Sequence, residues 1–153
     1  MLVLSNHQKI KTPPVTYFDD ELNDPLARAP KILLVEDSLI IQIAMLGILQ
    51  EHSGYIVDVA NTGEEAVTLF PKGFDLAIMD VGLPGIDGIE ATKKIRELYP
   101  LNSTPIVAHT AHGDEVIRKK CFDVGMTAFI SKGDSLEFFN QVIADVIGGG
   151  VAV

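Results

Sequence analysis

The chain lacks tryptophan, has a single cysteine and is poor in positive charge. With Cys121 alone in 153 residues, an internal disulfide is excluded and a reducing, cytoplasmic setting is expected. In its helical setting Cys121 reads as a small core hydrophobe rather than a reactive thiol. No stretch approaches the roughly 18 to 20 apolar residues that a membrane span requires. The apolar start, Met1 to Ser5, is too short for a signal peptide. Twelve Lys and Arg against 21 Asp and Glu leave a net charge of -9. That balance argues against direct contact with nucleic acid or an anionic membrane, and leaves cations and basic protein surfaces as partners. What is present is ordinary for a globular chain, at 47% hydrophobic and 22% charged, and the length suits one domain with a short tail.

Residues 1–30 differ from the rest. They hold Pro13, Pro14, Pro25 and Pro30 and the acidic run Asp19, Asp20, Glu21. No helical or strand period persists there, so a flexible tail or linker is expected. From residue 31 to 147, β-branched apolar runs alternate with longer helical patterns, which predicts βα units around a parallel sheet. Strands are expected at Ile32–Val35, Tyr55–Ala60, Leu76–Met79, Ile106–Ala108 and Ala128–Ile130. Helices are expected near Leu39–His52, Glu64–Phe70, Gly88–Leu98, Asp114–Val124 and Leu136–Ile147. The first, third and fourth strands are almost wholly apolar, as expected when helices cover both faces of a sheet. Thr62 with Glu65 forms a capping box for the second helix, and Asp134 with Glu137 is its counterpart for the fifth. Glycines close the last helix, leaving residues 148–153 as a C-terminal tail.

Ligands of an open parallel sheet bind beyond the carboxyl ends of its strands. Glu36 and Asp37 follow the first strand, Asp80 the third, Thr110 the fourth and Lys132 the fifth. Alone, each reads as a helix cap or loop solvation. Together they form an acidic cluster if the first and third strands are neighbours. Carboxylates about 4 Å apart repel by roughly 1 to 4 kcal/mol, so positive charge must offset them. Mg²⁺ is the natural candidate: it accepts one or two carboxylates and keeps room for water and phosphate oxygens.

These residues carry a resemblance. Leu34-Val35-Glu36-Asp37, Met79-Asp80-Val81-Gly82-Leu83-Pro84-Gly85-Ile86-Asp87-Gly88, Thr110-Ala111, Gly125-Met126 and Ile130-Ser131-Lys132 resemble, in order and spacing, the receiver domain of two-component signalling. The resemblance covers residues 31–147. It implies a flavodoxin-like (βα)5 fold with strand order 2-1-3-4-5. It also implies a phosphoacceptor switch in a phosphorelay, rather than an enzyme acting on other substrates. Asp80 would accept the phosphoryl group. Mg²⁺ would be held by Asp37, Asp80 and the Gly82 carbonyl, with Glu36 acting through water. Thr110 would bond a phosphoryl oxygen, Lys132 would pair with its charge, and Phe129 would be an aromatic that turns inward as Thr110 moves. The implied partner is a histidine kinase or a histidine phosphotransfer protein. A homodimer through the fourth helix, fifth strand and fifth helix is left open. The segments Gly88-Ile89-Glu90-Ala91-Thr92 to Ile95-Arg96 and Cys121 to Met126 resemble receivers attached to hybrid sensor histidine kinases.

Three positions depart from the family pattern. Gly133 replaces the usual proline after the lysine, so Lys132 is expected to be less rigidly held. His109 stands where an apolar residue is more common and reads as a satisfied polar group. Gly82 offers no side chain to guide water, leaving His112 to set the lifetime of the acyl phosphate. Other readings are weaker. A pseudo-receiver would have lost part of the set Glu36, Asp37, Asp80, Thr110 and Lys132. A flavin-binding fold needs a Ser/Thr/Gly-rich loop after the first strand. An aspartyl-phosphate phosphohydrolase needs a second Asp where Gly82 stands. In the first helix, Ile41, Ala44, Met45, Ile48 and Leu49 form one apolar face, which the resemblance to receivers implies is the inner one. Leu39, Ile43 and Leu46 are expected outside, as a docking stripe for the histidine-bearing helices.

Overall fold

A computed structural model describes residues 28–111 and 113–149. Most of the expected N-terminal tail, and His112, lie outside the described residues. The strands β1 (Lys31–Val35), β2 (Ile56–Ala60), β3 (Leu76–Met79), β4 (Ile106–Thr110) and β5 (Ala128–Ser131) pair in parallel, in the order β2-β1-β3-β4-β5. This is the flavodoxin-like order expected from the sequence. Along β1, Ile32 and Leu34 enter one core and Leu33 and Val35 the other. Period-two alternation between two covered faces is why these strands read as continuous apolar runs.

The helices are α1 (Leu39–Leu46), α2 (Gly63–Leu69), α3 (Gly88–Leu98), α4 (Glu115–Asp123) and α5 (Leu136–Ile147). Met45 and Leu49 pack with Phe139, Val142, Ile143 and Val146 of α5 on one side of the sheet. Ala66, Phe70, Ala91, Ile95 and Cys121 fill the other side. Cys121 is fully buried, as expected of a core residue, and burial pushes its thiol up to about 11.

Local chemistry sets the helix starts. The Thr62 hydroxyl accepts from Glu65 N–H at 3.0 Å, and the Glu65 carboxylate accepts from Asn61 N–H at 2.8 Å, closing the expected capping box one residue upstream. The fifth helix departs from expectation: Ser135, not Asp134, is its cap, accepting from Phe138 N–H at 3.1 Å. The first helix also departs. After Leu46 it continues as a π-helical stretch, Gly47–His52. The buried face of α1 is Gln42 and Met45, with Leu49 continuing it, whereas Ala44, expected inside, is exposed. Leu39, Ile40 and Ile43 are 68%, 81% and 62% exposed, and Leu46 is half-buried.

The β3–α3 loop folds back on the strand it leaves. Gly88 N–H donates to Val81 O at 2.9 Å, and a Cβ on Gly88 would collide with the Asp80 carbonyl oxygen. Gly88→Ala is therefore expected to cost about 1 to 3 kcal/mol in urea unfolding. Gly47 has helical dihedrals and nothing within 4 Å of an added Cβ. Gly47→Ala should gain about 0.5 to 1 kcal/mol. Equal effects at the two positions would contradict the close approach at Gly88.

Candidate functional site

The strand order brings the ends of β1 and β3 side by side. Asp80 N–H donates to Val35 O at 3.0 Å, extending the ladder past β3, and Glu36 N–H donates to Ala60 O at 3.1 Å. Backbone pairing thus fixes both acids. Glu36 is 2% and Asp80 5% exposed, whereas Asp37 lies at the surface. One oxygen from each of Glu36, Asp37 and Asp80 lies within 4.8 Å of the others.

A single ammonium answers the two buried acids. Lys132 Nζ lies 2.8 Å from Glu36 Oε2 and 2.9 Å from Asp80 Oδ2. The remaining oxygens take backbone donors: Ser38 N–H reaches Glu36 Oε1 and Gly82 N–H reaches Asp80 Oδ1, each at 3.1 Å. Burial raises the Glu36 carboxyl above its ordinary value, and the Asp80 charge adds to this against the opposing bonds from Lys132 and Ser38. Burial works to lower the Lys132 ammonium, but its hydrogen bonds to Glu36 and Asp80 and their charges raise it overall. Lys132 therefore stays charged at neutral pH, and its contribution to stability is lost only as pH rises through its raised folded value. Glu36, also raised, has the same sign in its own range: stability is lost as pH rises above the ordinary carboxylate range, because the buried group must then ionise.

Three carboxylates and one ammonium leave the cluster short of positive charge. Its donors are hard oxygens, one of them exposed to solvent, which suits Mg²⁺ rather than a soft metal. The structure thus brings together Glu36, Asp37, Asp80, Gly82 and Lys132. Thr110 is fully buried at the end of β4, and its carbonyl accepts from Lys132 N–H at 2.9 Å. Phe129 is buried beside β4, opposite Ala108 in the register, with the Arg118 guanidinium 5.7 Å above its ring. A cavity of about 830 Å³ lies elsewhere, lined by Phe74, Tyr99, Pro100 and Leu101. Its carboxylate, Asp75, is tied to Lys31 N–H at 2.8 Å, so it offers no comparable chemistry.

Gln42 was not expected in the site. It is buried, and its amide donates to Glu36 O at 2.6 Å and to Asn61 Oδ1 at 2.8 Å, joining the loops after β1 and β2. Its signal is a lone amide spaced i, i+3, i+7 with Met45 and Leu49. Glu64 was also unforeseen: its carboxylate accepts from Ile86 N–H at 3.1 Å and pins the loop that carries Gly82.

A five-stranded parallel sheet in this order, with acids after its first and third strands and a lysine after its fifth, defines the receiver class of two-component signalling. The sequence matches the model of the response regulator receiver domain over residues 32–143. The chain belongs to that family. It is 44% identical over 114 residues to hybrid signal transduction histidine kinase B of Dictyostelium discoideum, covering 67% of this chain and 6% of that one. It is 33% identical over 141 residues to histidine kinase 5 of Arabidopsis thaliana, covering 74% of this chain and 15% of the kinase. The chain therefore spans a small part of these relatives. Among solved structures, a receiver domain of a Pseudomonas aeruginosa sensor histidine kinase, with a magnesium ion in its active-site cleft, aligns at TM-score 0.71 and 30% identity, over 79% of this chain and 99% of that one.

His109, unusual for its position, is 9% exposed with its ring 5.3 Å from that of Phe139. Burial, helped by the Lys132 charge, lowers its imidazole to about 4 from an ordinary 6.5. The unfolded chain therefore binds this proton first as pH falls, and stability drops between pH 6.5 and about 4. His109→Leu should remove up to about 3 kcal/mol of that acid-induced loss in urea unfolding at successive pH values. An unchanged slope in this window would refute a buried neutral imidazole.

Proposed function

We propose that the chain is a phosphoacceptor switch in which Asp80 takes a phosphoryl group from a phosphohistidine on a histidine kinase or phosphotransfer protein. The observation that carries this reading is the Asp80 carboxylate, buried at the end of β3 and held by Lys132 at 2.9 Å beside Glu36. Phosphoryl transfer depends on positioning and charge neutralisation. A carboxylate oxygen of Asp80 would form the new bond to phosphorus as the bond to the histidine nitrogen breaks, returning its electron pair to the imidazole. The product is an acyl phosphate, with the Lys132 ammonium beside Asp80 to offset the charge of the transferred group.

Asp37, Asp80 and the Gly82 carbonyl would hold Mg²⁺, with Glu36 supporting it through water. When bound, the ion supplies positive charge for the phosphoryl oxygens. The Thr110 hydroxyl would bond a phosphoryl oxygen, and its movement would be read by Phe129 on the adjacent strand. The exposed Leu39 and Ile43, with half-buried Leu46, would receive the partner's helices, and Ile40 widens that stripe. Such apolar patches mark interaction surfaces.

One experiment tests both parts. With Mg²⁺ and acetyl phosphate, the wild type and Ile43→Asp should form acyl phosphate at similar rates, and Asp80→Asn should form none. With a phosphorylated histidine protein as donor, Ile43→Asp should be slowed about tenfold or more, the effect of a disrupted docking contact. Labelling of Asp80→Asn at the wild-type rate would overturn the acceptor assignment. Equal slowing of Ile43→Asp with both donors would overturn the docking assignment.

A further inference from the structure

Lys132 offsets part of the cluster's charge from a loop that Gly133 leaves without a stiffening proline. A lysine side chain has several free torsions, and a glycine beside it adds backbone freedom. The hydrogen bonds around Lys132 supply the missing constraint. Asp134 is not the α5 cap, because Ser135 fills that place. The Asp134 carboxylate instead turns back to accept from Ser131 N–H at 2.8 Å. Asp134 N–H donates to Ser131 O at 3.0 Å, and Gly133 N–H donates to Ser131 Oγ at 3.2 Å. These bonds close a clip from Ser131 to Asp134, with Lys132 inside it. Lys132 N–H is itself tied to Thr110 O.

We propose that Asp134 is a positioning residue for Lys132: by clipping Ser131 it fixes the backbone from which the ammonium reaches Glu36 and Asp80. A bond to a charged acceptor is stronger than a neutral one, which suits a single carboxylate holding a glycine-containing turn. The clip spans the end of β5 and the start of α5, so it also links the lysine to the helix beside it. The activity part of the test rests on the phosphoacceptor reading; the structural part does not.

The experiment compares wild type, Asp134→Ala and Asp134→Asn by amide hydrogen exchange and by Mg²⁺-dependent labelling with acetyl phosphate. Asparagine keeps an oxygen that can accept from Ser131 N–H but lacks the charge. In Asp134→Ala, exchange at Ser131 and Lys132 should rise about tenfold, the scale of one lost hydrogen bond. Exchange at Leu33 in the central strand should stay unchanged, and labelling should slow. Asp134→Asn should restore most of both. Wild-type exchange and labelling in Asp134→Ala would overturn the proposal. So would an Asp134→Asn variant as impaired as alanine, which would point to charge at the start of α5 instead. Failure of the wild type to label would overturn the phosphoacceptor reading alone, and the exchange data would still decide the clip.

Discussion

Two buried carboxylates, Glu36 and Asp80, share the ammonium of Lys132 at 2.8 and 2.9 Å, and the rest of the site is arranged around that shortage of charge. Removing ions from water costs several kcal/mol each, and one cation only partly offsets two anions. A fold selected for stability alone would place apolar side chains there. The β2-β1-β3 order makes the juxtaposition unavoidable, because any residue following β1 lies beside any residue following β3. The acids are thus held by the sheet rather than by flexible loops, and the surplus negative charge stays at the carboxyl ends of β1 and β3.

The surrounding groups keep that arrangement from relaxing. Gln42 binds the Glu36 carbonyl to Asn61, and Asn61 is held in turn by Glu65 at the start of α2. Glu64 holds the loop after β3, and Gly88 lets that loop lie against the Asp80 backbone. On the far side, Thr110 and Asp134 constrain the lysine. The two apolar cores support these contacts from both faces of the sheet, and α1 carries Gln42 inward while exposing Leu39, Ile40 and Ile43.

The sheet and the acidic cluster were legible in the sequence because strands buried on both faces are long apolar runs, and polar residues ending such runs stand out. Glu36, Asp80 and Lys132 lie together because backbone ladders dictate where strand ends lie. The face of α1 was harder to read. Its apolar residues surround the helix, so periodicity did not separate Ala44, which is exposed, from Gln42, which is buried with its amide bonded to Glu36 O and Asn61 Oδ1. Asp134 was misread for a related reason: Asp and Ser are both good caps, and adjacent candidates compete. Ser135 took the helix, and the carboxylate was left for the turn. The extension of β4 through His109 and Thr110 was hidden because polar residues look like a strand's end even when the ladder continues beneath them.

The central claim is that the cluster is one cation short and that its carboxylates take a divalent ion. Calorimetric titration of Mg²⁺ into the wild type and Asp37→Asn tests this most directly, because Asp37 is the exposed member of the cluster and Lys132 does not engage it. The wild type should bind one ion. Asp37→Asn should bind at least about tenfold more weakly, since even an outer partner of a metal ligand carries that much affinity. Equal affinity in the two proteins, or no binding in the wild type, would contradict the account.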